Sequence, residues 1–180
     1  MKTFKGVFPP VITIFDHEGN VDYAAVIKHI EALIDKGVDG IVLFGTTSEF
    51  CSVSLPEKKE LISQVIPKIS GKVKILAGVG DTCITNTLEL MSHCEKLGVD
   101  GFLVLNPYYL VYSDEMVEAY YDKISNATEL PIIIYNFPVL SGYSIMPNLV
   151  LRLALKHENI VGIKDTISDF EHVRSMIEIK

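Results

Sequence analysis

The residues of this sequence that are best suited to chemistry are Lys164 and Tyr135. Lys164 stands near the end of the stretch NIVGIKDT, behind a run of apolar side chains, and lysine is among the residue types least often buried without a partner. An unprotonated lysine amine can attack a ketone, and the resulting iminium withdraws electrons from the neighbouring C–C bond. A tyrosine hydroxyl can move the protons that such a reaction requires. The pair therefore predicts Schiff-base chemistry, with Lys164 as nucleophile and Tyr135 as proton shuttle.

The alternative for Lys164 is structural: its stem lies along a strand end and its ammonium stays in water. A lysine ammonium titrates near ~10.4 in water, so it is protonated and unreactive at neutral pH. Desolvation disfavours the ammonium, which makes a buried lysine the reactive one. The chemical interpretation therefore predicts that apolar neighbours shield Lys164 from solvent.

Hydroxyl and amide groups follow two other predicted strands, in the segment Gly45-Thr46-Thr47-Ser48 and in Asn106-Pro107-Tyr108-Tyr109. We predict that Thr46 and Thr47 hold a carboxylate beside the ketone, with Gly45 and Ser48 also binding substrate. Thr46 and Tyr109 are candidates for a proton relay to Tyr135. No histidine and no pair of carboxylates lies among these strand ends, which argues against a hydrolytic triad and against glycosidase chemistry.

Composition restricts the class of protein. The 180 residues are 48% hydrophobic and 22% charged, as expected of a globular chain. A formal net charge of -7 gives no basic face for a phosphate backbone, so we expect no nucleic-acid partner. Proline interrupts the N-terminal apolar run, and the other runs are shorter than the roughly 18 residues of a membrane span, which predicts a cytoplasmic protein without a membrane partner. The three cysteines and five histidines lack metal-site spacing, and no metal is expected.

Short apolar runs recur at intervals of about thirty residues, the length of a βαβ unit. Their continuous apolar character is typical of strands that are covered on both faces, which favours a parallel sheet. The predicted strands are Val7–Ile14, Gly40–Phe44, Val73–Val79, Gly101–Leu105, Ile132–Tyr135 and Ile160–Lys164, with amphipathic helices between them. Six such units fit an open doubly wound sheet or a (β/α) barrel, and the pattern alone leaves both possible.

Four motifs carry a resemblance to a known family. GTTSE, NPYY, YNFP followed by SG, and GIKDT have the order and spacing found in the dihydrodipicolinate synthase and N-acetylneuraminate lyase family of class I aldolases. The resemblance covers essentially the whole chain. It implies an α/β fold of the (β/α)8 TIM-barrel type, pyruvate as donor or product, and no cofactor beyond the covalent lysine imine. It also implies that Lys164, Tyr135, Thr46 and Tyr109 are catalytic, and that the protein is a homotetramer, a dimer of dimers in which Tyr109 serves a neighbouring subunit.

Leu140 and Ser48 are among the positions that depart from the family pattern. The synthases bind the carboxylate of the aldehyde substrate with an arginine in the loop after YN-x-P, and Leu140 stands at that place here. An isobutyl group cannot replace a guanidinium fork, so synthesis of dihydrodipicolinate is disfavoured. YNFP-x-LSG and NIVGIKDT resemble the 2-keto-3-deoxy sugar acid aldolases most, and the sialic acid lyases share LSG. Ser48 replaces a glycine of most members; if that backbone is left-handed, serine costs roughly 1 kcal/mol.

The length of the chain raises a further expectation. A barrel of this type typically has about 250 residues. We therefore expect residues 1–180 to form an incomplete barrel domain of about six βα units, without the closing ones. Two hypotheses follow: an aldolase or lyase that cleaves a 2-keto-3-deoxy sugar acid to pyruvate and an aldehyde, or a catalytically silent partial barrel. Dihydrodipicolinate synthase and N-acetylneuraminate lyase remain the enzymatic alternatives.

Overall fold

The computed structural model describes residues 4–179. Contacts between Cα atoms divide the chain into two compact units. The first comprises the residues up to Val79 together with Glu89–Phe102, and the second comprises Gly80–Leu88 together with the residues from Leu103 onward. Strands and helices alternate along the described residues, as the sequence predicts. The strands are β1 (Gly40–Leu43), β2 (Lys74–Gly78), β3 (Gly101–Leu105), β4 (Ile132–Asn136) and β5 (Ile160–Asp165).

Helices lie between the strands, as the sequence predicts. They are α1 (Tyr23–Asp35), α2 (Leu55–Ile69), α3 (Ile84–Leu97), α4 (Asp114–Ser125), the one-turn α5 (Pro138–Ser141), α6 (Pro147–Lys156) and α7 (Phe170–Ile177). Two short 3₁₀ turns, Thr46–Ser48 and Phe50–Ser52, follow β1. Ser54 and Glu57 form a reciprocal capping box at the start of α2. Asp169 caps α7 by accepting hydrogen bonds from the backbone amides of Glu171 and His172.

The sheet is α/β in type, and its strands follow the sequence order β1-β2-β3-β4-β5. Pairing is parallel between β1 and β2 and between β4 and β5. An open doubly wound sheet reverses its strand order at a switch point, whereas a (β/α) barrel adds each strand beside the preceding one. The observed order therefore favours the barrel over the open sheet that the sequence left possible.

The prediction of a first strand at Val7–Ile14 is wrong. The segment 7–14 runs beside β1 and exchanges hydrogen bonds with it, from Val42 N–H to the Pro9 carbonyl and from Val11 N–H to the Val42 carbonyl. Only an isolated parallel bridge, Pro10 to Val42, results. Pro9 and Pro10 have no N–H to donate, so a continuous ladder cannot form there. Five strands, rather than six, are therefore formed by the described residues.

The apolar faces predicted from the sequence are buried. In the first unit, Ile41 and Leu43 of β1 and Ile62 and Val65 of α2 have almost no solvent exposure. Cys94 lies buried within α3, and this burial raises the pKa of its thiol to about 12. Within residues 4–179, no helix is long and apolar enough to cross a membrane.

Candidate functional site

Tyr135 and Lys164 meet at the ends of two neighbouring strands of the second unit. The parallel register pairs Tyr135 of β4 with Lys164 of β5, so their side chains leave the sheet on the same face. The Nζ atom of Lys164 lies over the face of the Tyr135 ring, 3.9 Å from its centroid. The ring face stabilises positive charge on that nitrogen, whether it is an ammonium or an iminium. The structure thus brings together the two residues that the sequence proposed as nucleophile and proton shuttle.

The predicted shielding of Lys164 is wrong for the described residues, because the side chain is exposed to solvent. Gly162 lies two residues earlier on the same face of β5 and is exposed as well, and nothing lies within 4 Å of the place where its Cβ would be. This face of β5 is therefore open. Tyr135, by contrast, is only 4% exposed, so the phenol is fixed while the amine beside it is accessible.

A second pair of polar residues lies directly behind the first, on the opposite face of the two strands. Asn136 and Asp165 are the next register pair, and the Asn136 side-chain amide donates to Asp165 Oδ1 at 2.8 Å. The Asn136 Oδ1 atom accepts from the backbone amide of Ile145 at 3.0 Å, and Asn136 has no solvent exposure. Thr166 N–H donates to the Asn136 carbonyl at 2.8 Å. These bonds tie the ends of β4 and β5 together beside Tyr135 and Lys164.

An open cavity of about 690 Å³ adjoins these strand ends in the second unit. Its lining combines two carboxylates, two hydroxyls and apolar side chains; the residues are Phe137, Val139, Asp165, Thr166, Ile167, Ser168 and Asp169. Such a mixture of acceptors and hydroxyls suits a ligand that carries several hydroxyl groups. Among the described residues, this lining includes no lysine, arginine or histidine to bind a second carboxylate.

The segment Gly45–Ser48 follows β1 in the first unit. Phe44 has a positive φ of 56°, which turns the chain out of the strand and into the 3₁₀ turn Thr46–Ser48. Gly78, at the end of β2, permits this turn, because a Cβ there would lie 2.3 Å from the Phe44 carbonyl oxygen. Thr47 is exposed and Thr46 is half-buried. The two threonines thus stand at the end of β1, where the sequence placed them.

Both the hydroxyl and the backbone carbonyl of Ser48 form hydrogen bonds with the segment 7–14. Its hydroxyl donates to the Val11 carbonyl, and its own carbonyl accepts from the Thr13 hydroxyl at 2.6 Å. The side chain is buried, at 2% exposure. The left-handed backbone considered for this position occurs at the next residue, Glu49, with a φ of 52°. Serine therefore bears no left-handed strain at position 48, and its hydroxyl proton is used to hold the segment that contains Val11.

Tyr109 is 93% exposed and has a φ of 79°, a backbone conformation that bulky side chains rarely adopt. Its neighbours Leu110 and Val111 are also largely exposed. Leu140, at the place where the synthases have arginine, is 59% exposed and follows Pro138 in the one-turn helix α5. The roles assigned to Tyr109, Thr46, Thr47, Gly45 and Ser48 stay predictions.

The sequence did not single out Asn136, Asp165 or His172. The available signal was the placement of a polar residue directly after each of Tyr135 and Lys164, because paired parallel strands bring such residues side by side. Across residues 4–179, the structure shows no group of three or more His, Cys, Asp or Glu side chains arranged to hold a metal ion.

The strand order, the parallel pairing and a lysine beside a tyrosine at two strand ends define an α/β protein of the TIM-barrel class. The sequence matches the dihydrodipicolinate synthetase family over residues 3–180, and the chain belongs to that family. The family resemblance predicted from the four motifs is thereby confirmed.

Named relatives and solved structures place the chain within that family. It is 40% identical over 177 residues to a probable 2-dehydro-3-deoxy-D-pentonate aldolase of Escherichia coli K12, covering 98% of this chain and 59% of the relative. It is 34% identical to a 4-hydroxy-tetrahydrodipicolinate synthase of Methanocaldococcus jannaschii, covering 97% and 60%. The crystal structure of the E. coli K12 prophage protein YagE in complex with pyruvate is similar with a TM-score of 0.94 and 38% identity, over 99% of this chain and 60% of that one. The chain thus spans about 60% of the length of these relatives.

Proposed function

We propose that the protein is a Schiff-base aldolase that reversibly cleaves a 2-keto-3-deoxy sugar acid to pyruvate and an aldehyde. The observation that carries this proposal is the Lys164 amine, which lies 3.9 Å from the centre of the Tyr135 ring at the ends of two paired strands. Family membership supports a keto acid as the substrate class. The relatives named as aldolases support the sugar acid in particular.

The proposed reaction begins when the neutral Lys164 amine attacks C2 of the keto acid and water leaves, which gives an iminium. A base removes the proton of the C4 hydroxyl, the C3–C4 bond breaks, and its electron pair moves into the iminium to form an enamine. The aldehyde departs. Protonation of the enamine at C3 and hydrolysis of the imine then release pyruvate and the free amine. Tyr135 supplies and accepts the protons, and its ring faces the nitrogen while that nitrogen is cationic.

The substrate class is supported by what surrounds the pair. The adjoining cavity presents the Thr166 and Ser168 hydroxyls and the Asp169 carboxylate, which suit the hydroxyl groups of a sugar-derived aldehyde. Leu140 replaces the arginine that would bind the carboxylate of aspartate semialdehyde. We therefore favour the sugar acid aldolase over dihydrodipicolinate synthase, and keep N-acetylneuraminate lyase as the alternative with a hydroxylated substrate.

Assembly and location are part of the same proposal. A homotetramer built as a dimer of dimers would use Tyr109, Leu110 and Val111. These three consecutive residues expose large apolar side chains, and an exposed apolar patch is typical of a surface that another protein covers. We propose that Tyr109 serves the site of a neighbouring copy, that Thr46 relays protons, and that Gly45, Thr47 and Ser48 contribute to carboxylate binding. A cytoplasmic location and the absence of any cofactor remain predictions.

The direct test is trapping with pyruvate and borohydride. The protein is incubated with both reagents, and its intact mass and peptide map are measured. We expect a reduced pyruvyl adduct on Lys164, no adduct in Lys164→Met, and a normal adduct in Lys36→Met, which removes an exposed lysine on another element. A folded sample without any adduct would refute the proposal and favour the catalytically silent partial barrel.

The acceptor is tested separately by comparing cleavage and condensation rates. Pyruvate is supplied with hydroxylated aldehydes, with aspartate semialdehyde and with N-acetylmannosamine, and 2-keto-3-deoxy acids are supplied for cleavage. We expect kcat/KM to be higher for the hydroxylated aldehydes than for aspartate semialdehyde. Introduction of Leu140→Arg should raise the relative rate with aspartate semialdehyde, because it restores a cation for the substrate carboxylate.

A further inference from the structure

His172, on helix α7, contacts the polar pair that lies behind Lys164 and Tyr135. The Nε2 atom of His172 is 3.2 Å from Oδ2 of Asp165, and the two side chains are only 4% and 13% exposed. Asp165 in turn accepts the Asn136 amide through its other oxygen. A continuous chain of polar contacts therefore runs from α7 through β5 to β4, and it reaches each strand one residue beyond Lys164 or Tyr135.

The contact between His172 and Asp165 is close, but its geometry is not that of a hydrogen bond. Among residues 4–179, neither His172 Nε2 nor Asp165 Oδ2 has a hydrogen-bond partner of good geometry, although both atoms are buried. A buried polar atom without a good partner lowers stability, and a protein selected for stability alone would fill this place with apolar groups. Unsatisfied buried groups in native proteins call for an explanation, which often is a functional one.

A second buried histidine shows what a purely structural pair looks like in this chain. His157 Nε2 is 2.7 Å from Asp122 Oδ1 in a normal hydrogen bond, and Lys156 also binds that carboxylate. This pair joins the end of α6 to α4, and the hydrogen bonds to the Asp122 side chain come from Lys156 and His157, neither of which lies on β4 or β5. It therefore provides an internal control for the removal of a buried imidazole beside an aspartate.

We propose that His172 is a positioning residue for the Lys164–Tyr135 pair, acting through Asp165 and Asn136. This inference rests on the proposed function. The Nε2 atom of His172 lies 3.2 Å from Oδ2 of Asp165, and this contact limits the movement of the Asp165 side chain on the side opposite to Asn136. With both of its oxygens restricted, Asp165 holds the end of β5 against β4 and so fixes the distance between the Lys164 amine and the Tyr135 ring. Small displacements of reacting groups have large kinetic effects.

The test compares two substitutions that differ in reach. In His172→Gln, the side-chain amide nitrogen lies about where Nε2 of the histidine lies. The asparagine side chain of His172→Asn is one methylene shorter, so its amide nitrogen does not reach Asp165. We expect the maximal rate of pyruvate trapping to fall by about tenfold in H172N and to stay within about threefold of wild type in H172Q. The pyruvate concentration that gives half the maximal rate should change little in either variant. His157→Asn should lower the unfolding temperature without changing the trapping rate.

Hydrogen exchange provides a readout that does not need the enzyme to be active. The Thr166 amide, which donates to the Asn136 carbonyl, should exchange faster in H172N than in wild type, H172Q or H157N. If wild type forms no pyruvate adduct, the proposed function fails, and Thr166 exchange still decides the positioning role. Equal exchange and equal trapping in folded H172N and wild type would overturn the inference, and so would an H172Q variant as slow as H172N.

Discussion

Gly78 controls the turn that carries Thr46 and Thr47, and its replacement by alanine tests that geometry. A Cβ at position 78 would lie 2.3 Å from the Phe44 carbonyl oxygen, 2.8 Å from its carbonyl carbon and 3.0 Å from the Leu43 oxygen. All three atoms belong to the backbone, so no rotamer change can relieve the clash. Phe44 already has a left-handed backbone, with a φ of 56°, and the carbonyl must move by about 1 Å to reach an ordinary contact.

The expected cost of Gly78→Ala follows from that displacement. Forced backbone shifts in packed regions typically cost about 1–3 kcal/mol. For a chain of this size, 1 kcal/mol corresponds to about 2–4 °C in Tm, so we expect Tm to fall by about 2–12 °C. If Thr46 and Thr47 bind the substrate carboxylate, the half-saturating pyruvate concentration for adduct formation should rise as well, while the adduct still maps to Lys164.

The matched control is Gly162→Ala. Nothing lies within 4 Å of a Cβ at position 162, and its φ is not in the left-handed region. We expect Tm to be unchanged or to rise slightly, because alanine restricts the unfolded chain more than glycine does. Scanning calorimetry of the two variants and wild type makes the comparison. A Gly78→Ala protein as stable as Gly162→Ala would refute the argument from backbone contact.

Two further outcomes are expected. Tyr135→Phe keeps the ring beside Lys164 Nζ but loses the hydroxyl, so pyruvate trapping should persist while steady-state C–C cleavage falls by about 10²–10⁴-fold; an unchanged cleavage rate would remove Tyr135 from proton transfer. Burial tends to raise the pKa of Asp122, but hydrogen bonds from His157 and Lys156 outweigh it and hold the pKa below the ordinary 3.8. The stabilisation is present above the unfolded-state pKa and is lost as pH falls through the folded-state pKa. Urea unfolding should therefore show Asp122→Asn less stable than wild type at pH 7, and the difference should disappear as the pH falls below the folded-state pKa.

Local rules explain how much of the fold the sequence predicted. The capping residues Ser54, Ser113 and Asp169 lie at the starts of α2, α4 and α7, since a side-chain acceptor satisfies backbone amides wherever a helix begins. The bounds of β3 were predicted to the residue, because its apolar run begins at Gly101 and is followed by Asn106-Pro107. The segment 7–14 does not form a strand, because Pro9 and Pro10 cannot donate the hydrogen bonds of a continuous ladder. The prediction gave more weight to the apolar run than to these two prolines.

The sequence predicted some features of the candidate site and missed others. The pairing of Tyr135 with Lys164 was predictable, since parallel neighbours end at the same edge of a sheet. The exposure of Lys164 was not, because burial depends on what covers a face and not on the residues of the strand itself. His172 was missed because its contact with Asp165 arises where the chain turns from β5 into α7, and no short motif describes a histidine seven residues after an aspartate.

The alternation of side chains along β4 and β5 explains how the dipeptides Tyr135-Asn136 and Lys164-Asp165 form two pairs of side chains on opposite faces of the sheet. Tyr135 and Lys164 project from one face, and Asn136 and Asp165 project from the other, so each side chain that we propose to be reactive is followed by an anchoring one. The anchor has to be polar, because a hydrogen bond between side chains fixes distance and direction, whereas apolar contact tolerates sliding. Replacing Asn136 and Asp165 by two leucines could preserve the packing of the strands and still lose the distance between amine and phenol. Under the proposed function, the polar pair Asn136–Asp165 is therefore better explained by the geometry of Lys164 and Tyr135 than by the stability of the sheet.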